Sequence, residues 1–459
     1  MGRLYSYVRI HGMLPPMKKL LIHGGSLVTD SKVDRQDILL TVTGEIEEIH
    51  PKIPEKHGEE FFDATGLLIF PLLIDCHVHF REPGLEHKAT METEAAAALA
   101  GGVGTVCEMP NTVPPTVTIA ALADKVRRAE KVDGCVIRFF FGVTEEAHLY
   151  ALRELWTGTS IELKRLKHHC AGVKLFLDHS TGNQKVAADL AAEVFKVCGE
   201  LKIPLVAHCE DPEINRGSGV GVRNKDVSAH SLMRPPESES VAIEHAIDMA
   251  MKFKAPLHIA HLSTKQGVGL VRAAKKSGIS VTCEVAPHHL FLTTEDYAEL
   301  GTLGKMNPPL RTPEHRDALW EGIADGTVDC IATDHAPHLL AEKKAGEPLS
   351  APSGVPGVET MLPLLLTVAA GQSPHPNQKP ETTNQKLAYP DIVRLCFVNP
   401  NRIFSLGQEG IQKGARARLV IIDPKPASVI TPVQLHSKCG WTPYEGWEVT
   451  GKIVKIIGI

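Results

Sequence analysis

A chain of 459 residues exceeds the commonest single-domain size, and 43% hydrophobic with 22% charged residues is the composition of an ordinary globular protein with a large core. The 49 basic and 54 acidic residues leave a formal charge of -5 with no long run of Lys and Arg, which argues against nucleic acid as a partner. No apolar run reaches the roughly 18 residues of a membrane span, no signal-peptide order opens the chain, and the ten cysteines are scattered without a CxxC; a cytoplasmic protein with reduced, buried thiols and no membrane partner is expected.

Residues 1–16 read as a disordered extension, because Met17 followed by "KKLLIHGGSLV" looks like the natural start of a first strand. From 17 to 66 short runs such as "DILLTVTGEIEEIHP" alternate apolar and polar residues between Gly and Pro, a β signal that returns over 411–459 in "ARLVIIDP" and "TGKIVKIIGI". Both termini therefore build one small β domain, a β-sandwich. Between them, over 67–410, apolar strands near 70–80, 104–109, 136–143, 172–177, 204–209, 256–262, 280–286 and 329–334 alternate with amphipathic helices such as "ESVAIEHAIDMAMKF". Eight such units imply an α/β fold of the (β/α)8 TIM-type barrel, although a doubly wound open sheet has the same periodicity. Long loops are expected at 211–235, 339–356 and 372–388.

Polar residues interrupt these strands. In "IDCHVHFREP" the alternation of side chains turns His77 and His79 to one face, with Asp75 and Arg81 at the same parity. One HxH alone reads more simply as two satisfied core histidines. The anomaly recurs, however: "PLVAHCE" ends the fifth strand on His208, "LHIAHLS" the sixth on His261 and "CIATDHAPH" the eighth on Asp334. In a barrel these ends converge on one mouth, and four imidazoles with a carboxylate suit Zn2+ or a similar divalent ion. Lys174 lies inside the fourth strand, "AGVKLFLD", where a bare ammonium costs several kcal/mol to bury. An isolated lysine would snorkel outward. Among cation-binding histidines a carbamate on its amine is the alternative, an anion able to bridge two metals.

The ordered series "DCHVHFREPG", "MPNT", "GVKLFL", "VAHCE", "HIAHLS", "VTCEVAPHHL", "MNPPLR", "ATDHAPH" and "SGVPGVET" resembles the amidohydrolase superfamily, and within it the dihydroorotases, over roughly residues 66–410. The resemblance implies two Zn2+ per chain, one held by His77, His79 and Asp334, the other by His208 and His261, with carboxylated Lys174 between them. It makes Asp334 the proton shuttle as well. It assigns Arg81, Asn111 and His338 to the free carboxylate of dihydroorotate, and the backbone of Pro356 and Gly357 to the pyrimidine ring. Some bacterial relatives carry an aspartate bridge and "SDDG"; "VKLFLDHSTG" places this chain with the lysine-bridged kind. Glu284, His288 and His289 belong to a family motif with a supporting role.

The implied reaction interconverts N-carbamoyl-L-aspartate and L-dihydroorotate in pyrimidine biosynthesis, through hydroxide held between the metals. Allantoinase and dihydropyrimidinase share metals and barrel, and a non-catalytic scaffold is a further alternative. Arg81, Asn111 and His338 favour a carboxylate-bearing ring. A lone Arg after a strand more often braces its loop through Glu82 or Asp75. The expected partners are a small-molecule substrate and a second copy of the chain in a homodimer.

Overall fold

The computed structural model describes residues 18–178, 185–219, 226–379 and 384–458. The expected extension at 1–16 lies outside the described residues. Two sheets organise the chain. The first is built from both termini: Leu20–Val28, Val33–Leu40, Ile46–His50, Glu60–Asp63 and Leu68–Pro71 join Leu419–Val429 and Glu448–Ile457. Its sequence-distant halves meet where Leu68–Pro71 pairs with Leu419–Ile422, and Ile22, Ile38, Ile69, Leu419 and Ile421 close a separate apolar cluster on it.

The second sheet holds eight strands in sequence order, each parallel to the next: Leu73–Val78, Val103–Glu108, Val136–Gly142, Cys170–Phe176, Leu205–His208, Leu257–Ile259, Val281–Val285 and Cys330–Ile331. A bridge between Val78 and His335, with the His79 amide donating to the His335 carbonyl at 2.7 Å, brings the first strand to the end of the eighth. Sequential order and this contact exclude the open doubly wound sheet, which needs a reversal of strand order. Most positions in these strands are buried on both faces, as helix-covered parallel strands require.

Four of the helices between the strands begin at a Ser or Thr side-chain cap. Thr90, Thr118, Ser160 and Thr264 each accept from the amide three residues on, at 3.1 to 3.2 Å, and each cap contributes roughly 1 kcal/mol. In the fourth strand Gly172 has φ 154°, and a Cβ there would stand 2.4 Å from the Pro204 carbonyl oxygen, so only glycine lets the two chain segments approach. Lys174 follows two residues later.

The strand expected from residue 70 starts at Leu73, because Leu68–Pro71 belongs to the terminal sheet and the chain crosses between sheets at Leu72. Both strands are fully buried, so hydropathy shows no break. The expected long loops carry short helices, Pro212–Ser218, Ala229–Met233 and Leu340–Lys344 among them. All ten cysteines are buried and unpaired. Burial pushes the Cys135 and Cys170 thiols up to about 12. Among the described residues no helix is long and apolar enough to cross a membrane.

Candidate active site

A cavity opens at the C-terminal ends of the barrel strands, lined by His77, His79, Arg81, His208, His261 and Asp334 among others. Residues from the first, fifth, sixth and eighth strands thus meet at one mouth. Their backbones are unusual. Arg81 (φ 69°), His261 (φ 33°) and Asp334 (φ 47°) occupy the left-handed region, which costs such residues on the order of 1–3 kcal/mol each and persists only where the surroundings enforce it. At Asp334 the enforcement is visible: buried Asp75 accepts from the Thr333 hydroxyl at 2.5 Å and from its amide at 3.0 Å, pinning the preceding residue. Burial lifts the Asp75 carboxyl to about 6, against those hydrogen bonds.

His77 turns Nδ1 to the Glu284 carboxylate, and His79 turns Nδ1 to the Asn111 oxygen at 2.7 Å. A neutral imidazole that donates from Nδ1 keeps a lone pair on Nε2. Burial holds both rings below the ordinary histidine range, helped at His77 by the Lys174 charge and at His79 by Arg81. The two Nε2 atoms lie 3.3 and 3.0 Å from one Asp334 oxygen. Three acceptors therefore face one point with no donor between them, the arrangement a cation satisfies, and His77, His79 and Asp334 form a group that could hold a metal ion. Burial alone would raise the Asp334 carboxyl, but His77 and His79 keep it well below the usual carboxylate range.

Across the cavity His208 donates from Nε2 to Glu210 at 2.8 Å, which leaves its Nδ1 lone pair 3.1 Å from His261 Nε2. Lys174 is buried, and its Nζ has no hydrogen-bond partner among the described residues. Burial lowers this amine to about 8, against the charges of Glu284 and Asp334. An orphaned buried amine beside two sets of imidazole lone pairs fits a carbamate bridging cations better than it fits an ammonium.

Arg81 lies beyond the end of its strand at Val78, so strand parity does not place it. It reaches the cavity through its left-handed turn and a hydrogen bond from Nε to the Pro337 carbonyl at 3.0 Å. Its Nη2 lies 3.0 Å from Nε2 of His338. Glu82 instead pairs with Arg128, and Asp75 serves Thr333, so the loop-bracing partners expected for Arg81 are engaged elsewhere. Asn111 stands behind His79 and orients it. Pro356 and Gly357 line a neighbouring cavity with His335 and Trp441, and the Gly357 amide donates to His335 Nδ1 at 3.0 Å; the wall beside Arg81 comes from Ser353 and Gly354.

Two carboxylates behind the histidines had little or no weight in the sequence. Glu284 gathers His77, His258 and Cys76, together with the His261 amide at 3.2 Å. Burial raises its pKa, yet His77 and His258 hold it well below the carboxylate range. Glu210 joins His208 to Arg234, whose guanidinium reaches it at 2.6 and 2.9 Å. Glu210 follows His208 by two residues in "AHCED", a spacing that is itself a readable signal. His288 lies 4.4 Å centroid to centroid from His289, and burial takes it down to about 4. Replacing Glu284 with Gln should release the His77 ring and lower metal affinity by about 10- to 100-fold in a chelator-competition titration. Unchanged affinity would show that Glu284 only fills space.

The amidohydrolase family matches residues 68–457. The dihydroorotase of Halobacterium salinarum is 40% identical over 391 residues, covering 85% of this chain and 85% of its own. That of Bacillus subtilis is 36% identical over 444 residues, covering 95% of each. Among solved structures, the L-hydantoinase (dihydropyrimidinase) from Arthrobacter aurescens is similar with a TM-score of 0.85 at 26% identity, over 96% of this chain and 95% of that one. A shared barrel thus accompanies a sequence closer to dihydroorotases, and the chain belongs to the amidohydrolase family, on its dihydroorotase branch.

Proposed function

We propose that the chain is a dihydroorotase, interconverting L-dihydroorotate and N-carbamoyl-L-aspartate. The observation that carries this reading is a buried guanidinium, Arg81, opening on the same cavity as the acceptor cluster of His77, His79 and Asp334. A cyclic amide with a ring carboxylate answers both features at once. Similarity to dihydroorotases at 36–40% identity supports it independently.

In this reading His77, His79 and Asp334 would hold one divalent ion, zinc by the chemistry of the donors, and His208 and His261 a second, with Lys174 carboxylated between them. Carbamate formation joins the neutral lysine amine to carbon dioxide and releases one proton. Bound there, the two ions would polarise the ring amide and make hydroxide available near neutrality. The protein's own groups do the rest. Asp334, ionised because the imidazoles outweigh its burial, accepts the proton of the attacking water and returns it to the leaving ring nitrogen. Arg81 fixes the substituent that distinguishes dihydroorotate from dihydrouracil or allantoin. Asn111 and Glu284 keep the two histidine lone pairs aimed.

Likeness to hydantoinases favours a second reading, a cyclic amidase for rings without a carboxylate. Protein purified without chelator should contain close to two equivalents of divalent metal and convert both dihydroorotate and N-carbamoyl-L-aspartate to the same equilibrium mixture. Metal content that saturates at one equivalent would remove the binuclear part of the proposal, and no conversion in either direction would remove the rest.

A further inference from the structure

The loop between the first barrel strand and the helix Met91–Ala100 carries Lys88, mostly buried at 15% side-chain exposure. Its Nζ lies 3.1 Å from Nδ1 of His338 and 3.2 Å from Glu342. An ammonium has only donors, so Nδ1 must accept. On the other side of the ring Nε2 lies 3.1 Å from the Ser353 carbonyl oxygen, which can only accept, and 3.0 Å from Arg81 Nη2, which can only donate; with Nδ1 accepting from Lys88, the one proton of a neutral ring sits on Nε2 and goes to the carbonyl. Two unrelated partners, one a side chain 250 positions away and the other a backbone oxygen, select the same tautomer. The opposite tautomer would set Nδ1–H against an ammonium and a lone pair against a carbonyl, with only Arg81 gaining a partner. Glu342 does not compete for Nδ1, from which it stands 3.9 Å away. The backbone that carries the ring is fixed as well, since Trp441 from the C-terminal segment donates to the His338 carbonyl at 2.7 Å.

We propose that Lys88 is a positioning residue: it fixes the single ring proton of His338 on Nε2, next to Arg81, so that a neutral histidine can donate to the substrate's carboxylate. The carboxylate part rests on the function proposed above; the tautomer does not. With that proton in place, Arg81 Nη2 and His338 Nε2 are two donors 3.0 Å apart, and an anionic oxygen set against them accepts from both by taking over the Nε2 proton from the Ser353 carbonyl. Burial, followed by the charges of Arg81, Lys88 and Lys343, keeps His338 well below the ordinary histidine range, so the ring is neutral and its tautomer decides what it offers. Without Lys88 the ring is free to carry its proton on Nδ1 and accept from Arg81, turning a lone pair toward the incoming carboxylate.

The test is a nitrogen-15 spectrum of histidine-labelled protein, with the His338 signals assigned by difference from His338→Gln, alongside kinetics of Lys88→Met and Lys88→Arg. Wild type should show Nε2 protonated and Nδ1 bare. Lys88→Met should shift population toward the other tautomer, raise KM for dihydroorotate about tenfold or more, leave kcat within about threefold, and leave dihydrouracil turnover where it was. Lys88→Arg, which keeps a cationic donor, should restore the spectrum and most of the KM. A wild-type ring protonated on Nδ1 overturns the proposal without recourse to any variant, as does a Lys88→Met protein whose tautomer matches wild type. If the spectra behave as expected but dihydroorotate is not a substrate, the tautomer assignment stands and the functional reading is the part that fails.

Discussion

Lys174→Ala is expected to strip the site of most of its metal and abolish turnover. The substitution removes the group proposed to carry the bridging anion, a buried amine without a hydrogen-bond partner among the described residues. If Lys174 bridges the ions as proposed, the loss should exceed the roughly 100-fold that removal of a supporting partner costs, because a ligand and not its support is lost. Small carboxylic acids should restore part of the rate by occupying the space of the carbamate. Metal analysis and kcat/KM, measured with and without added acetate or propionate, check this. Wild-type metal content together with wild-type activity would mean that Lys174 is a buried amine and nothing more.

Arg81→Met keeps length and apolar bulk and removes the charge. With its guanidinium buried and its Nη2 beside His338, it should cost on the order of 2 to 5 kcal/mol of transition-state stabilisation, roughly 30- to 4,000-fold in kcat/KM for dihydroorotate. Metal content should stay normal, since among the described residues the hydrogen bonds of Arg81 go to Pro337 and His338 and not to a candidate ligand. Turnover of dihydrouracil, whatever its level, should fall far less. A variant that hydrolyses dihydroorotate at nearly the wild-type kcat/KM would leave the carboxylate without a reader.

The eight-strand barrel, the sheet built from both termini and the converging histidines were legible because burial leaves periodic apolar runs, and because a polar residue at the end of such a run is conspicuous. His77, His208 and Lys174 lie within their strands, where alternation applies. Arg81 reaches the expected cavity for a different reason: parity stops at Val78, and a left-handed turn with a carbonyl of the eighth βα loop does the aiming. The boundary at Leu72 was invisible because two buried strands abut without a polar break. Glu284, Lys88 and Trp441 could not be assigned their tasks from sequence, since their partners His77 and His338 are 207, 250 and 103 positions away. Ser353 and Gly354 form the wall beside Arg81, in the motif that pointed to Pro356 and Gly357. A loop's backbone path decides which of five successive residues faces a cavity, and no periodicity encodes that.

The proposed function requires an amide-hydrolysing metal site and a carboxylate reader to share one cavity. Its most direct test is kcat/KM of the metal-replete wild-type protein for dihydroorotate, dihydrouracil and allantoin measured side by side. Dihydroorotate should lead by at least about a hundredfold, the discrimination that enclosed polar groups achieve when a ligand lacks their partner. Preference for dihydrouracil or allantoin would contradict the account and make the chain a cyclic amidase for uncharged rings.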